Sequence, residues 1–156
     1  MSGRIYTAEF QNVAVTAQQD FFEINPASNK PIELHEFGLF QTSDVGDAAE
    51  EMLSCKVIRG HTTSGSGGTT QTAAPRKTAQ TAVGATCELN NTTIASAGTA
   101  VDLLSFSFNV RVGYEKIWTP ETRPGTINGT LLVIRLLTTP ADSLTMDGYF
   151  TFEELA

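Results

Sequence analysis

The chain has 156 residues, 40% of them hydrophobic and 17% charged, enough to bury one core, with a charged share below the roughly one quarter usual for globular domains. Ten basic and seventeen acidic residues give a formal net charge of −7, and no basic run exceeds Arg76-Lys77, so a phosphate-tracking stripe is excluded and no nucleic-acid partner is expected. No stretch of about eighteen apolar residues is present to span a bilayer, and the negative sign disfavours an anionic membrane surface, so no membrane partner is expected either.

Along the chain, Met1-Ser2-Gly3-Arg4-Ile5-Tyr6 enters β pattern directly, without the apolar segment of a secretory signal, and folding in a cytoplasm is expected. Strand pattern follows over Arg4 to Thr16, Asp20 to Ile24, Pro31 to Phe40, Met52 to Arg59 and Thr86 to Thr93. The apolar phase flips between Leu34 and Phe37, which predicts a β-bulge. Asp47-Ala48-Ala49-Glu50-Glu51-Met52 is the one helical candidate, a turn or two opened by a capping box. From Gly60 to Gly84 the chain has almost no apolar side chain to bury and reads as one long polar arm within a single domain spanning 1–156, lying along a neighbouring subunit. Apolar side chains at every even position from Phe106 to Tyr114 predict a strand with one buried face. Thr130 to Leu137 is apolar on both faces except at Arg135 and predicts a central strand. The last strand puts Leu144, Met146, Gly148, Phe150 and Phe152 on one face and Thr145, Asp147, Tyr149, Thr151 and Glu153 on the other. About eight strands with turn signals between them predict an all-β, two-sheet sandwich of jelly-roll type.

Chemistry is poorly served. His35 stands beside Glu36 in a predicted strand and reads as an exposed or half-buried histidine; His61 opens the polar arm, where preorganised geometry is hard to hold. Asp44, Asp47, Glu50 and Glu51 lack calcium-loop spacing and read as a solvated acidic turn. Gly65, Gly67 and Gly68 lack the Lys-Ser/Thr of a phosphate loop. Cys55 and Cys87 read as two small buried hydrophobes, a disulfide being the minority alternative. The sequons at Asn90, Asn91 and Asn128 read as chance products of a Thr- and Asn-rich chain. No catalytic residue, metal ligand or cofactor is therefore assigned, and the chain is expected not to be an enzyme. Tyr114 and Trp118 with Arg123, and Arg59, Thr62 and Thr63 where the arm begins, are the expected subunit or partner contacts; the first two have core packing as the competing role.

The segments Phe10-Gln11-Asn12-Val13-Ala14-Val15-Thr16, Lys30-Pro31-Ile32-Glu33-Leu34-His35, Ser43 to Glu51, Val57 to Gly68 and Thr139-Pro140-Ala141-Asp142-Ser143-Leu144-Thr145-Met146 resemble a family of small virion proteins of tailed phages and prophages. The resemblance covers most of the chain. It implies a capsid decoration, or cement, protein made in the bacterial host, homotrimeric, seated on the outer capsid surface and clamping copies of the major capsid protein without chemistry of its own. The rival readings are a tail, baseplate or fibre-associated β-sandwich and a carbohydrate-binding module. A cupin-like metalloenzyme is disfavoured by the two histidines.

Overall fold

A computed structural model describes residues 4–42 and 50–155. The described residues form twelve strands: β1 (Arg4–Val15), β2 (Gln19–Asn25), β3 (Ile32–Gln41), β4 (Met52–His61), β5 (Thr69–Gln71), β6 (Ala74–Pro75), β7 (Thr86–Asn91), β8 (Val101–Asn109), β9 (Tyr114–Ile117), β10 (Gly125–Thr126), β11 (Leu131–Leu136) and β12 (Leu144–Glu154). One sheet has the order β10-β3-β12-β1-β6, with β9 also on the outer side of β3; the other has the order β5-β7-β2-β11-β4-β8. All pairings are antiparallel. Successive long strands β1, β2, β3 and β4 alternate between the sheets, as do β8, β9, β11 and β12, and the last strand returns to pair with the first. This is the wound connectivity of a jelly roll.

Period-two patterning sets the core. Tyr6, Ala8 and Phe10 of β1 face Phe150 and Phe152 of β12 and Leu34, Phe37 and Leu39 of β3, and the opposite layer supplies Phe22, Leu53, Val57, Leu132 and Ile134, all buried. Each buried Phe or Leu contributes about 1.5–3 kcal/mol by leaving water. The expected central strand is β11, flanked by β2 and β4 and buried at every position. The expected bulge lies at His35: Thr151 pairs with Glu36 and Phe152 with Leu34, leaving His35 as the extra residue that flips the apolar phase. A second register shift falls between Phe10 and Val13, where Asn12 takes φ 53° and its amide donates to Asp147 Oδ1 at 2.7 Å.

Two expectations change. The alternating run from Phe106 to Tyr114 is not one strand: β8 stops at Asn109, a turn through Gly113 at φ 77° crosses to the other sheet, and Tyr114 begins β9. Alternation survives the crossing because Tyr114 folds back on Phe106, ring centroids 4.2 Å apart. The 60–84 segment, expected as an arm without structure of its own, pairs with its own sheets. Its β5 lies on β7 and its β6 on β1, with bridges from Thr63 to Ser96 and Ser66 to Thr93. Polar composition misled there, because edge strands gain backbone hydrogen bonds without burying side chains, and Pro75 is tolerated in an edge strand. The capping-box candidate falls largely outside the described residues, at 47–49; Glu50 and Glu51 precede β4 directly, and Asp44 and Asp47 also lie outside.

Candidate protein-binding cleft

On the flank opposite β5 and β6, the sandwich ends at β8 in one sheet and at β9 and β10 in the other. Part of that mouth is filled by aromatics: Tyr114 packs on Phe106, and Phe37 contacts Phe106, Tyr114 and Trp118 at centroid distances of 5.4, 5.8 and 5.6 Å. The rest opens as a cleft of about 480 Å³ between the end of β4 and the starts of β8 and β3, with Ile32, Val101, Ile127 and Leu155 among its walls and Arg59 beside them. Val101 and Ile127 stay 43% and 63% exposed at its rim. Arg59 Nη1 donates to the carbonyl of Gly125 at 3.4 Å, tying β4 across the cleft to β10. Gly60, at φ +108°, shapes the base of this wall: a Cβ there would lie 2.1 Å from the Thr99 carbonyl oxygen, so only glycine lets the two backbones meet.

The six expected contact residues do not form one patch. Arg59 lines the cleft, and Thr62 and Thr63 are exposed beyond it, Thr63 exchanging backbone hydrogen bonds with Ser96 at 3.0 and 2.9 Å. Tyr114 is half-buried in the aromatic cluster, and its hydroxyl pKa is raised by burial. Trp118 is also half-buried on the core, with Lys116 Nζ 5.8 Å from its ring centroid. Its amide donates to the His35 carbonyl at 3.0 Å. Trp118 and Arg123 line a smaller hollow of about 280 Å³ with His35 and Arg76. There His35 Nε2 lies 2.8 Å from Glu153 Oε2, and Arg123 Nη1 approaches the same oxygen at 3.7 Å. His35 is thus half-buried, as its strand position implied, and the Glu153 carboxylate beside it is a finding of the structure.

A buried polar network was only partly legible. Arg135 Nε and Nη2 donate to Asp20 Oδ1 and Oδ2 at 2.5 and 3.0 Å, and Nη2 also donates to the Ala95 carbonyl at 2.8 Å. The Ala95 amide donates to Asp20 Oδ2 at 2.7 Å. His61 stands 3.3 Å from Arg135 Nη1 and 3.1 Å from the Ala97 carbonyl, so its geometry is well held, contrary to expectation. Guanidinium is donor-only, which makes Nε2 of His61 the acceptor and Nδ1–H the donor to Ala97. The lone Arg135 in an apolar run was the signal; its partner Asp20 sits at the edge of Phe21-Phe22 and gave none.

Beside this pair, Glu23 is 1% exposed. Its Oε2 accepts from the Ser64 hydroxyl at 2.6 Å and the Gly65 amide at 2.9 Å, holding the start of the 60–84 segment, while Oε1 has no hydrogen-bond partner among the described residues. Burial pushes its pKa up, assisted by the Asp20 carboxyl and opposed by hydrogen bonds from Ser64, Asn91 and Gly65. Between the ordinary and the raised pKa the folded chain holds a proton that the unfolded chain has lost, so stability falls as pH rises through the folded pKa. Urea titrations across that range are expected to show this slope in the wild type and to lose it in Glu23→Gln. An unchanged slope would assign it to another group.

Cys55 and Cys87 are free and buried, their thiols pushed up to about 12 by burial, as expected of small core residues. Comparisons with protein-family models, curated proteins and solved structures found no match to this chain.

Proposed function

We propose that the chain is a phage head decoration protein, which binds the major capsid protein on the outer surface of the shell and stabilises it. The carrying observation is the apolar cleft, whose rim leaves Val101 and Ile127 in water beside an arginine. A concave apolar patch left in water, with an arginine alongside, is the kind of surface that a protein partner covers. The surrounding surface is rich in Thr and Ser, so docking freezes few long charged side chains. The virion assignment rests on the sequence resemblance.

In this reading the protein adds no chemistry. It binds the assembled shell and stabilises it by mass action, a modest gain repeated at every copy. Purified protein added to heads lacking it is expected to cosediment saturably and to raise the temperature at which genome is released. Ile127→Glu and Arg59→Glu are expected to cut occupancy at least tenfold, a loss of about 1.4 kcal/mol or more per contact, while circular dichroism shows the wild-type fold. Saturable binding unaltered by either variant would remove the cleft from the interface; failure to bind heads at all would remove the function.

A second reading has one specific feature behind it. Phe40, 36% exposed, stacks on Tyr149 at 6.4 Å between centroids, beside Asp147 and Gln11 around a hollow of about 310 Å³. An aromatic pair with flanking polar groups is how a jelly roll presents a sugar site, and glycan-array binding lost in Phe40→Ala would favour it.

A further inference from the structure

We infer that the outer edge of β8 is a self-association surface, on which a second copy of this chain adds its own β8 antiparallel across a two-fold axis. Edge strands expose unpaired backbone groups, and proteins protect them by shortness, charge, proline or cover. The other sheet edges among the described residues conform: β5, β6 and β10 have three, two and two residues, and β9 has four, including Glu115 and Lys116. By contrast β8 has nine residues, and from Leu103 to Asn109 it carries neither a charge nor a proline.

The ladder shows which groups face outward. Val110 donates its amide to Glu51 at 2.9 Å, and the register runs on from Met52↔Asn109 through Leu53↔Phe108 to Val57↔Leu104. Hydrogen-bonded pairs alternate along an antiparallel ladder, so Leu104, Phe106 and Phe108 bond to β4, while Ser105 and Ser107 turn amide and carbonyl away from the sheet. An incoming antiparallel strand meets four such groups in register.

Charge selects the occupant. Each copy carries −7, so two copies repel at long range, and a contact between them needs a neutral stretch. Leu103 to Asn109 supplies one on both sides of the axis. With Ser105 of one copy opposite Ser107 of the other, the two-fold axis passes through Phe106 and each strand offers its mate the same four backbone groups. The pairing closes on itself, whereas the three-fold assembly implied by the resemblance needs two different patches. One strand pair lies at the small end of interface sizes, below about 1,200 Å². The dimer is therefore weak and is strengthened by salt, which screens the net repulsion.

The test is sedimentation equilibrium of the full chain, from micromolar to millimolar protein, at low and physiological ionic strength. The wild type is expected to show a monomer–dimer equilibrium that tightens with salt, with slowed amide exchange at Ser105 and Ser107. Ser105→Pro removes an outward donor without touching a ladder bond and is expected to weaken the dimer at least tenfold; Ser107→Lys, which places like charges across the axis, does the same and serves if the proline variant fails to fold. Monomer throughout, a trimer, or a dimer indifferent to both substitutions overturns the inference. So does protection of these amides only when coat protein is present, which gives the edge to that partner instead.

Discussion

Arg135→Ala is expected to cost about 3–5 kcal/mol of folding stability, because it leaves the Asp20 carboxylate, fully buried, without its counter-charge. The loss exceeds that of a surface pair because water cannot reach the orphan, and the same carboxylate holds the Ala95 amide. Asp20→Ala is expected to be as severe, since the guanidinium is then buried unpaired. Replacing both, as Asp20→Leu with Arg135→Met, removes both charges together and is expected to recover most of the loss. Urea unfolding of the three variants measures this; additive single and double losses would show that the pair is not coupled.

Phe37→Ala is expected to cost about 3–5 kcal/mol. The ring is fully buried and touches Phe106, Tyr114 and Trp118, so it joins β3 to β8 and β9 where the sandwich would otherwise gape. Those rings sit on separate strands and cannot collapse fully into the vacated space. Phe37→Leu retains most of the volume and is expected to lose less than half as much. A loss below about 1 kcal/mol for Phe37→Ala would mean that the flank repacks freely.

Much of this architecture is readable from alternation alone. The β11 and β12 segments announce themselves because one is apolar on both faces and the other on one, and the bulge at His35 shows as a phase flip between Leu34 and Phe37. Alternation is blind to sheet changes, which is why Phe106 to Tyr114 reads as one strand when a tight turn divides it. It is equally blind to edge strands such as β5, whose stability lies in backbone hydrogen bonds. In the candidate site, Arg59 was legible, but the cleft itself is made by Ile32, Val101, Ile127 and Leu155 from distant parts of the chain. Glu154 illustrates the same limit. Facing inward on β12 and fully buried, it accepts the Gly84 and Ala85 amides at 2.7 Å each, a contact across the fold with no local signature.

The central claim, a shell-binding protein that uses the cleft at the sandwich mouth, is tested most directly by cryo-electron microscopy of the particle that carries the chain. The expected result is a β-sandwich density on the outer face of the head, with Arg59, Val101 and Ile127 turned toward coat protein. Density on the tail or baseplate, or on the head with the cleft turned to solvent, would contradict it.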